Sequence, residues 1–234
     1  MNPLVGIIAI LIGGLVIPFL YLKASTRMPL RAVIVPVLLG LGLLAATLII
    51  QPVIQAAPLV ALNVDRDSIA FIAYSSLVSG LLQEGLKLSA VKRYQGDYRA
   101  LWVGLGFGGG EALLVAYLSG LSYYAGQAGG AATFYYLLSA YERLLATTFH
   151  VASTAILATA HWRLYSRYAL AALLHSLLNF TPAYIAGGRD IASLSIDALA
   201  FMYAGLTLLV IITLILALRG VSLWRRAGML EMGL

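Results

Sequence analysis

Continuous apolar stretches are the feature that most limits the fold of this chain. They recur along its whole length, and at about 20 residues each is long enough to cross a hydrocarbon core of roughly 30 Å as a helix. Membrane-spanning strands would need short segments of alternating polarity instead. Only 10% of the residues are charged and 62% are hydrophobic, whereas a soluble domain carries roughly 25% charged residues. The sequence therefore predicts an all-α, polytopic membrane helix bundle.

We predict about seven transmembrane helices within one domain that covers residues 1–234. Their approximate bounds are 4–22, 33–54, 68–90, 99–120, 132–159, 164–185 and 195–218. No segment between them is long enough to act as a linker between two domains. The chain contains no cysteine, which excludes disulfides, thiolate metal ligands and a cysteine nucleophile.

The basic residues predict the orientation of the bundle. Eleven of the fifteen Lys and Arg residues fall in loops on one side or in the C-terminal tail. They are Lys23, Arg27, Arg31, Lys92, Arg93, Arg99, Arg163, Arg167, Arg219, Arg225 and Arg226. The opposite side has only Arg66 and Arg189. The positive-inside rule then places the N-terminus outside and the C-terminus in the cytoplasm, and it explains the net charge of +6 without nucleic acid.

Four of the predicted spans are interrupted by polar or ionisable side chains. These are Glu84 and Lys87 in the third span, Glu111 in the fourth, Glu142, Arg143 and His150 in the fifth, and His175 and Asn179 in the sixth. A charge at the centre of a bilayer costs at least about 2.5 kcal/mol on insertion scales, so such residues are candidates for function.

The candidate residues lie at similar depths. At a rise of 1.5 Å per residue, Glu84 lies roughly 10 Å from the cytoplasmic end of its span, His150 roughly 14 Å, His175 roughly 17 Å and Glu111 roughly 18–20 Å. Glu84 and Lys87 are three residues apart and are able to pair on one helix face. We therefore expect one hydrated cavity, with Glu142 and Arg143 lying higher as supporting residues.

Acids and imidazoles in such a cavity are able to hydrolyse a peptide bond in two ways. A buried carboxylate, Glu84 or Glu111, is able to act with His150 as a general base on water. His175 and Asn179 are then candidate donors to the developing oxyanion. Alternatively, Glu111, His150 and His175 are candidate ligands of a zinc ion that activates the water.

The order of these motifs resembles the YhfC family of intramembrane metalloproteases. The segments are Gln83–Lys87, Gly106–Ala112, Glu142-Arg143 with Phe149-His150, and His175–Asn179, within a motif-bearing core of about 68–185. They are also similar to the wider clan of PrsW-type proteases and CAAX prenyl proteases/bacteriocin-processing enzymes. The resemblance implies a glutamate-based or metal-assisted peptidase that acts on a membrane-tethered protein or peptide. It also implies a site toward the cytoplasmic leaflet, lipid contact and a location in a prokaryotic plasma membrane.

Two other functions fit the same residues. Ionisable side chains inside a bundle also serve ion- or proton-coupled transport. Gln83 stands where the clan has the first of two adjacent glutamates, which leaves open a non-catalytic, immunity-type binding protein. The run Gly104, Gly106 and Gly109 spells a dinucleotide fingerprint, but no strand precedes it, and we interpret it as a site of close helix packing.

Overall fold

The computed structural model describes residues 3–124, 132–160, 163–186 and 194–226, and it contains only helices and short connections in this part of the chain. The long helices are α1 (Pro3–Leu11), α2 (Ile17–Thr26), α3 (Leu30–Leu62), α4 (Ile69–Val91), α5 (Arg99–Tyr124), α6 (Ala132–Ala158), α7 (Leu164–Ala186) and α8 (Ile196–Arg226). A π-helical turn, Ile12–Val16, joins α1 to α2. The all-helical class predicted from the sequence is confirmed.

Within the described ranges, six helical segments are long and apolar enough to cross a membrane. They are Leu4–Thr26, Leu30–Leu62, Ile69–Tyr94, Arg99–Ser122, Leu164–Ala186 and Ile196–Leu223. Helix α6 overlaps the predicted fifth span, but it is not among them because Glu142, Arg143 and His150 make it more polar. Many large apolar side chains on the outer helices are exposed, such as Ile49, Val53 and Phe201. Lipid is the natural partner for so large an apolar surface.

Helix α3 is longer than the sequence predicts, since it continues past residue 54 to Leu62. Pro36, Pro52 and Pro58 all lie inside it. Proline in a helix removes one backbone donor, but neighbouring helices are able to bond the freed carbonyl in a membrane protein. Arg189, which was counted for the orientation, lies outside the described residues.

Glycines on α5 allow its neighbours to approach its backbone closely. A Cβ atom at Gly108 would lie 2.7 Å from the Cα of Thr147 and 3.1 Å from the ring of His150, both on α6. A Cβ at Gly106 would meet the backbone of Val37 on α3. The glycine run is thus a packing surface, as interpreted from the sequence, and it sets the distance between the helix that carries Glu111 and the helix that carries His150.

Candidate active site

The centre of the site is an ion pair that is completely withdrawn from solvent. The Lys87 Nζ lies 2.6 Å from Oε1 of Glu84, and neither side chain has any exposed surface. The same ammonium donates to the hydroxyl of Ser153 at 2.7 Å, and it lies over the rings of Phe107 and Phe149. The pairing predicted from the three-residue spacing is confirmed, and the charge of each partner compensates the other in a setting where either alone would be costly.

His175 is held by the same carboxylate. Its Nδ1 lies 2.7 Å from Oε1 of Glu84, and since a carboxylate only accepts, Nδ1 carries the proton of this bond. In the neutral ring the lone pair is then on Nε2. A carboxylate that orients a histidine from behind in this way is a common support for a metal-binding or catalytic imidazole.

His150 connects the buried pair to the second acid. Its Nδ1 lies 3.1 Å from the Lys87 ammonium, which only donates, so Nδ1 accepts. Its Nε2 then donates to Oε2 of Glu111 at 3.2 Å. The two imidazole rings lie 5.1 Å apart between their centroids. Glu84, Lys87, Glu111, His150 and His175, which come from four helices, therefore form one connected network.

Two cavities open beside this network. The smaller, of about 80 Å³, is lined on its polar side by Glu111, Glu142, Arg143, His150, His175 and Asn179. The larger, of about 310 Å³, shares Glu111, Arg143 and Asn179 with it. The Glu111 side chain is 21% exposed, whereas that of Glu84 is fully buried. Of the two acids, Glu111 is therefore the one that a water molecule in these cavities is able to reach.

Arg143 lies closer to the site than its position along the helix predicts. One guanidinium nitrogen is 3.5 Å from Oε2 of Glu111, and another pairs with Glu142. Its Nε is buried without a hydrogen-bond partner. The long side chain thus carries the positive charge to Glu111, at the point where the two cavities meet.

The histidines and an acid are close enough to share a divalent ion. In the described parts of the chain, the ligand atoms of Glu84, His150 and His175 lie within 4.8 Å of one another. Glu111 contacts His150 but does not belong to this group. The sequence predicted Glu111 as the carboxylate ligand, whereas the structure brings Glu84 to the two histidines. One Glu and two His form a common zinc donor set, and Oε2 of Glu84 is buried without a partner. The residues fit a metal ion, provided that Lys87 moves away from Glu84.

Several residues of the site were missed in the sequence. Ser153 donates to Oε1 of Glu84 at 3.3 Å in addition to accepting from Lys87, and its position three residues after His150 was an available signal. Gln51 was also missed, and it lines the larger cavity together with Gln83, the residue that begins the first motif. A glutamine within a long apolar span, such as Gln51, is itself an unusual residue, but its contact with Gln83 depends on how two helices pack.

The fold and the site together define an integral membrane protein with a buried centre of carboxylates and histidines. Comparison with known families then identifies the group. The chain belongs to the YhfC intramembrane metalloprotease family, whose sequence model matches residues 7–128, slightly more than half of the chain. The matched range includes Glu84 and Glu111 and ends before His150 and His175. No curated protein and no solved structure matches the chain.

Proposed function

We propose that this protein is an intramembrane endopeptidase that hydrolyses a peptide bond of a membrane-associated substrate. The observation that carries the proposal is the network of Glu84, Glu111, His150 and His175, in which only Glu111 combines partial exposure to the cavities with a bond to a histidine. Membership of an intramembrane metalloprotease family supports the same activity. We also propose that residues 1–234 act as one domain.

The exposure of the acids suggests a role for each. Glu111 is the general base that takes a proton from water, and the Nε2–H of His150 holds its carboxylate in place. His175 and Asn179 line the same cavity. The side-chain N–H of Asn179 would donate to the substrate carbonyl and its oxyanion, and His175 would donate from Nε2 when its ring carries both protons. Glu84 and Lys87 are positioning residues, because their buried contacts orient the two imidazole rings.

A metal-assisted form of this chemistry uses the same residues. Glu84, His150 and His175 would hold the ion, because their ligand atoms lie closest together, and Glu111 would remain the base. A zinc ion bound there would polarise a water molecule and the scissile carbonyl.

We further propose seven crossings, with the N-terminus outside and the C-terminus in the cytoplasm. Helix α6 is the seventh, because it packs against α1, α5 and α8 and most of its described residues are buried or half-buried within the bundle. The cysteine-free chain suits labelling with a membrane-impermeant maleimide. We expect Arg66→Cys, in the exposed loop after α3, to be labelled in intact cells, and Lys92→Cys only after permeabilisation. The reverse pattern would contradict this orientation.

The activity is tested directly with purified protein in lipid vesicles. We expect the wild-type protein to cleave a fluorogenic single-span peptide that has a central helix-breaking segment, because unwound backbone exposes its peptide bonds to Glu111 at the cavity. If the metal-assisted form operates, a chelator should abolish cleavage, zinc should restore it, and elemental analysis should find about one zinc per chain. Ion flux across the vesicles without any cleavage would contradict the proposal and favour a transporter.

A further inference from the structure

The larger cavity has features that the hydrolytic network does not explain. Beside Glu111 it is lined by Leu44, Leu48, Leu114 and Val115, which are apolar, and by two glutamines, Gln51 and Gln83. Gln83 is 93% buried, since its relative exposure is 7%, yet its Oε1 has no hydrogen-bond partner. An unpaired buried acceptor costs free energy unless a bound group satisfies it.

A chain of hydrogen bonds determines which atom Gln83 leaves free. The hydroxyl of Ser79 donates to the backbone carbonyl of Ser75 at 3.0 Å, so it accepts from Nε2 of Gln51 at 2.8 Å. Oε1 of Gln51 must then accept, and it receives Nε2 of Gln83 at 2.9 Å. The last group in this chain, Oε1 of Gln83, is therefore an acceptor, and only an N–H or O–H donor is able to satisfy it.

The backbone of α3 offers a candidate second acceptor near the same cavity, the carbonyl of Leu48. Pro52 has no N–H, so it cannot donate the usual helix bond to the carbonyl of Leu48, and both residues line the cavity. The equivalent carbonyl below Pro58 is that of Ile54, and it is bonded by the hydroxyl of Tyr74 at 2.8 Å. At Pro58, the hydroxyl of Tyr74 thus replaces the missing backbone donor. At Pro52, the carbonyl that loses its backbone donor is that of Leu48, which lines the cavity.

We propose that this cavity is a subsite for the backbone of an unwound peptide segment, with Gln83 and the Leu48 carbonyl accepting its N–H groups beside Glu111. The inference rests on the proposed peptidase function and adds to it the residues that select the substrate class. Successive amides of an extended peptide present N–H donors, which ester lipids lack, and the leucine and valine lining suits apolar substrate side chains. The subsite therefore favours a peptide over a lipid ester.

The test measures binding of one defined probe to protein in nanodiscs. The probe is a fluorescent, leucine-rich single-span peptide with a central Gly-Ser-Gly break, and the Glu111→Gln form is used so that the probe stays intact. We expect Gln83→Leu to weaken binding about tenfold, which corresponds to one lost hydrogen bond to a buried group. Gln55→Leu is the matched control. Gln55 bonds to Ser75 and Ser79, which belong to the same group of hydrogen bonds as Gln51 and Gln83, but it does not line the cavity.

Backbone ester probes separate a direct contact from an indirect one. Replacing the N–H that bonds to Gln83 by an ester oxygen should weaken binding to the Glu111→Gln protein about tenfold, and the same ester should have little further effect once Gln83→Leu is added. Equal losses in Gln83→Leu and Gln55→Leu, or no loss in either, would overturn the subsite. If the wild type cleaves the probe while Gln83→Leu binds it normally, the subsite is wrong and the peptidase function stands. If binding depends on Gln83 but the wild type does not cleave the probe, the subsite stands and the peptidase function is wrong.

Discussion

Replacing Glu111 by Gln should lower the rate of peptide cleavage by about 10²–10⁴-fold, which is the usual contribution of a general base. Gln has the same shape and its carbonyl still accepts from His150, but it cannot take a proton from water. Because Glu111 is partly exposed to the cavities, we expect the fold to persist. The measurement is the cleavage rate of the fluorogenic peptide in vesicles, together with the thermal midpoint of the purified variant.

The neighbouring acid provides the comparison for this substitution. Glu142→Gln removes a negative charge from the same cavity and from the same guanidinium of Arg143. Its side chain is 38% exposed, and an exposed ion pair contributes little, so we expect a loss of less than about tenfold. Equal losses in the two variants would mean that cleavage depends on the charge around Arg143, and Glu111 would no longer be the base.

Replacing Lys87 by Met should destabilise the protein by about 3–5 kcal/mol, because the carboxylate of Glu84 would be left buried without its partner. Added zinc should then raise the thermal midpoint of the variant more than that of the wild type. The ammonium and a metal ion compete for Oε1 of Glu84 and for His150, and a ligand that binds only the folded state stabilises it. The measurement is thermal unfolding with zinc and with a chelator.

Two further variants make this result specific. Lys92→Met removes a lysine that is exposed at the end of α4, and we expect its midpoint and its zinc response to match the wild type. Adding Glu84→Gln to Lys87→Met removes both buried charges, which should recover most of the lost stability and also remove the zinc response. A Lys87→Met protein that is destabilised yet indifferent to zinc would argue for a site that operates without metal.

The fold class, the depth of the polar residues and one ion pair were predictable, because each depends on the composition or the geometry of single helices. Lipid selects continuous apolar helices, so composition and run length predicted the fold class. The rise of a helix is constant, so the common depth of Glu84, Glu111, His150 and His175 was predictable, and the structure joins all four in one network. The pairing of Glu84 with Lys87 followed from their spacing on one helix.

Other features depend on how neighbouring helices are rotated and how far apart they lie. The number of residues between two positions in the sequence carries no information about this. Packing at glycines such as Gly108 brings α6 against α5 and determines which atoms meet. Only the tertiary structure shows that Glu84, rather than Glu111, lies with both histidines, that Arg143 reaches Glu111, and that Gln83 ends a chain of amides at a cavity. The sequence by itself determined a membrane helix bundle with a polar layer at one depth, because helix length and rise are local properties. The division of that layer into a buried ion pair, a partly exposed acid and two adjoining cavities was decided by tertiary packing, because it depends on distances between helices.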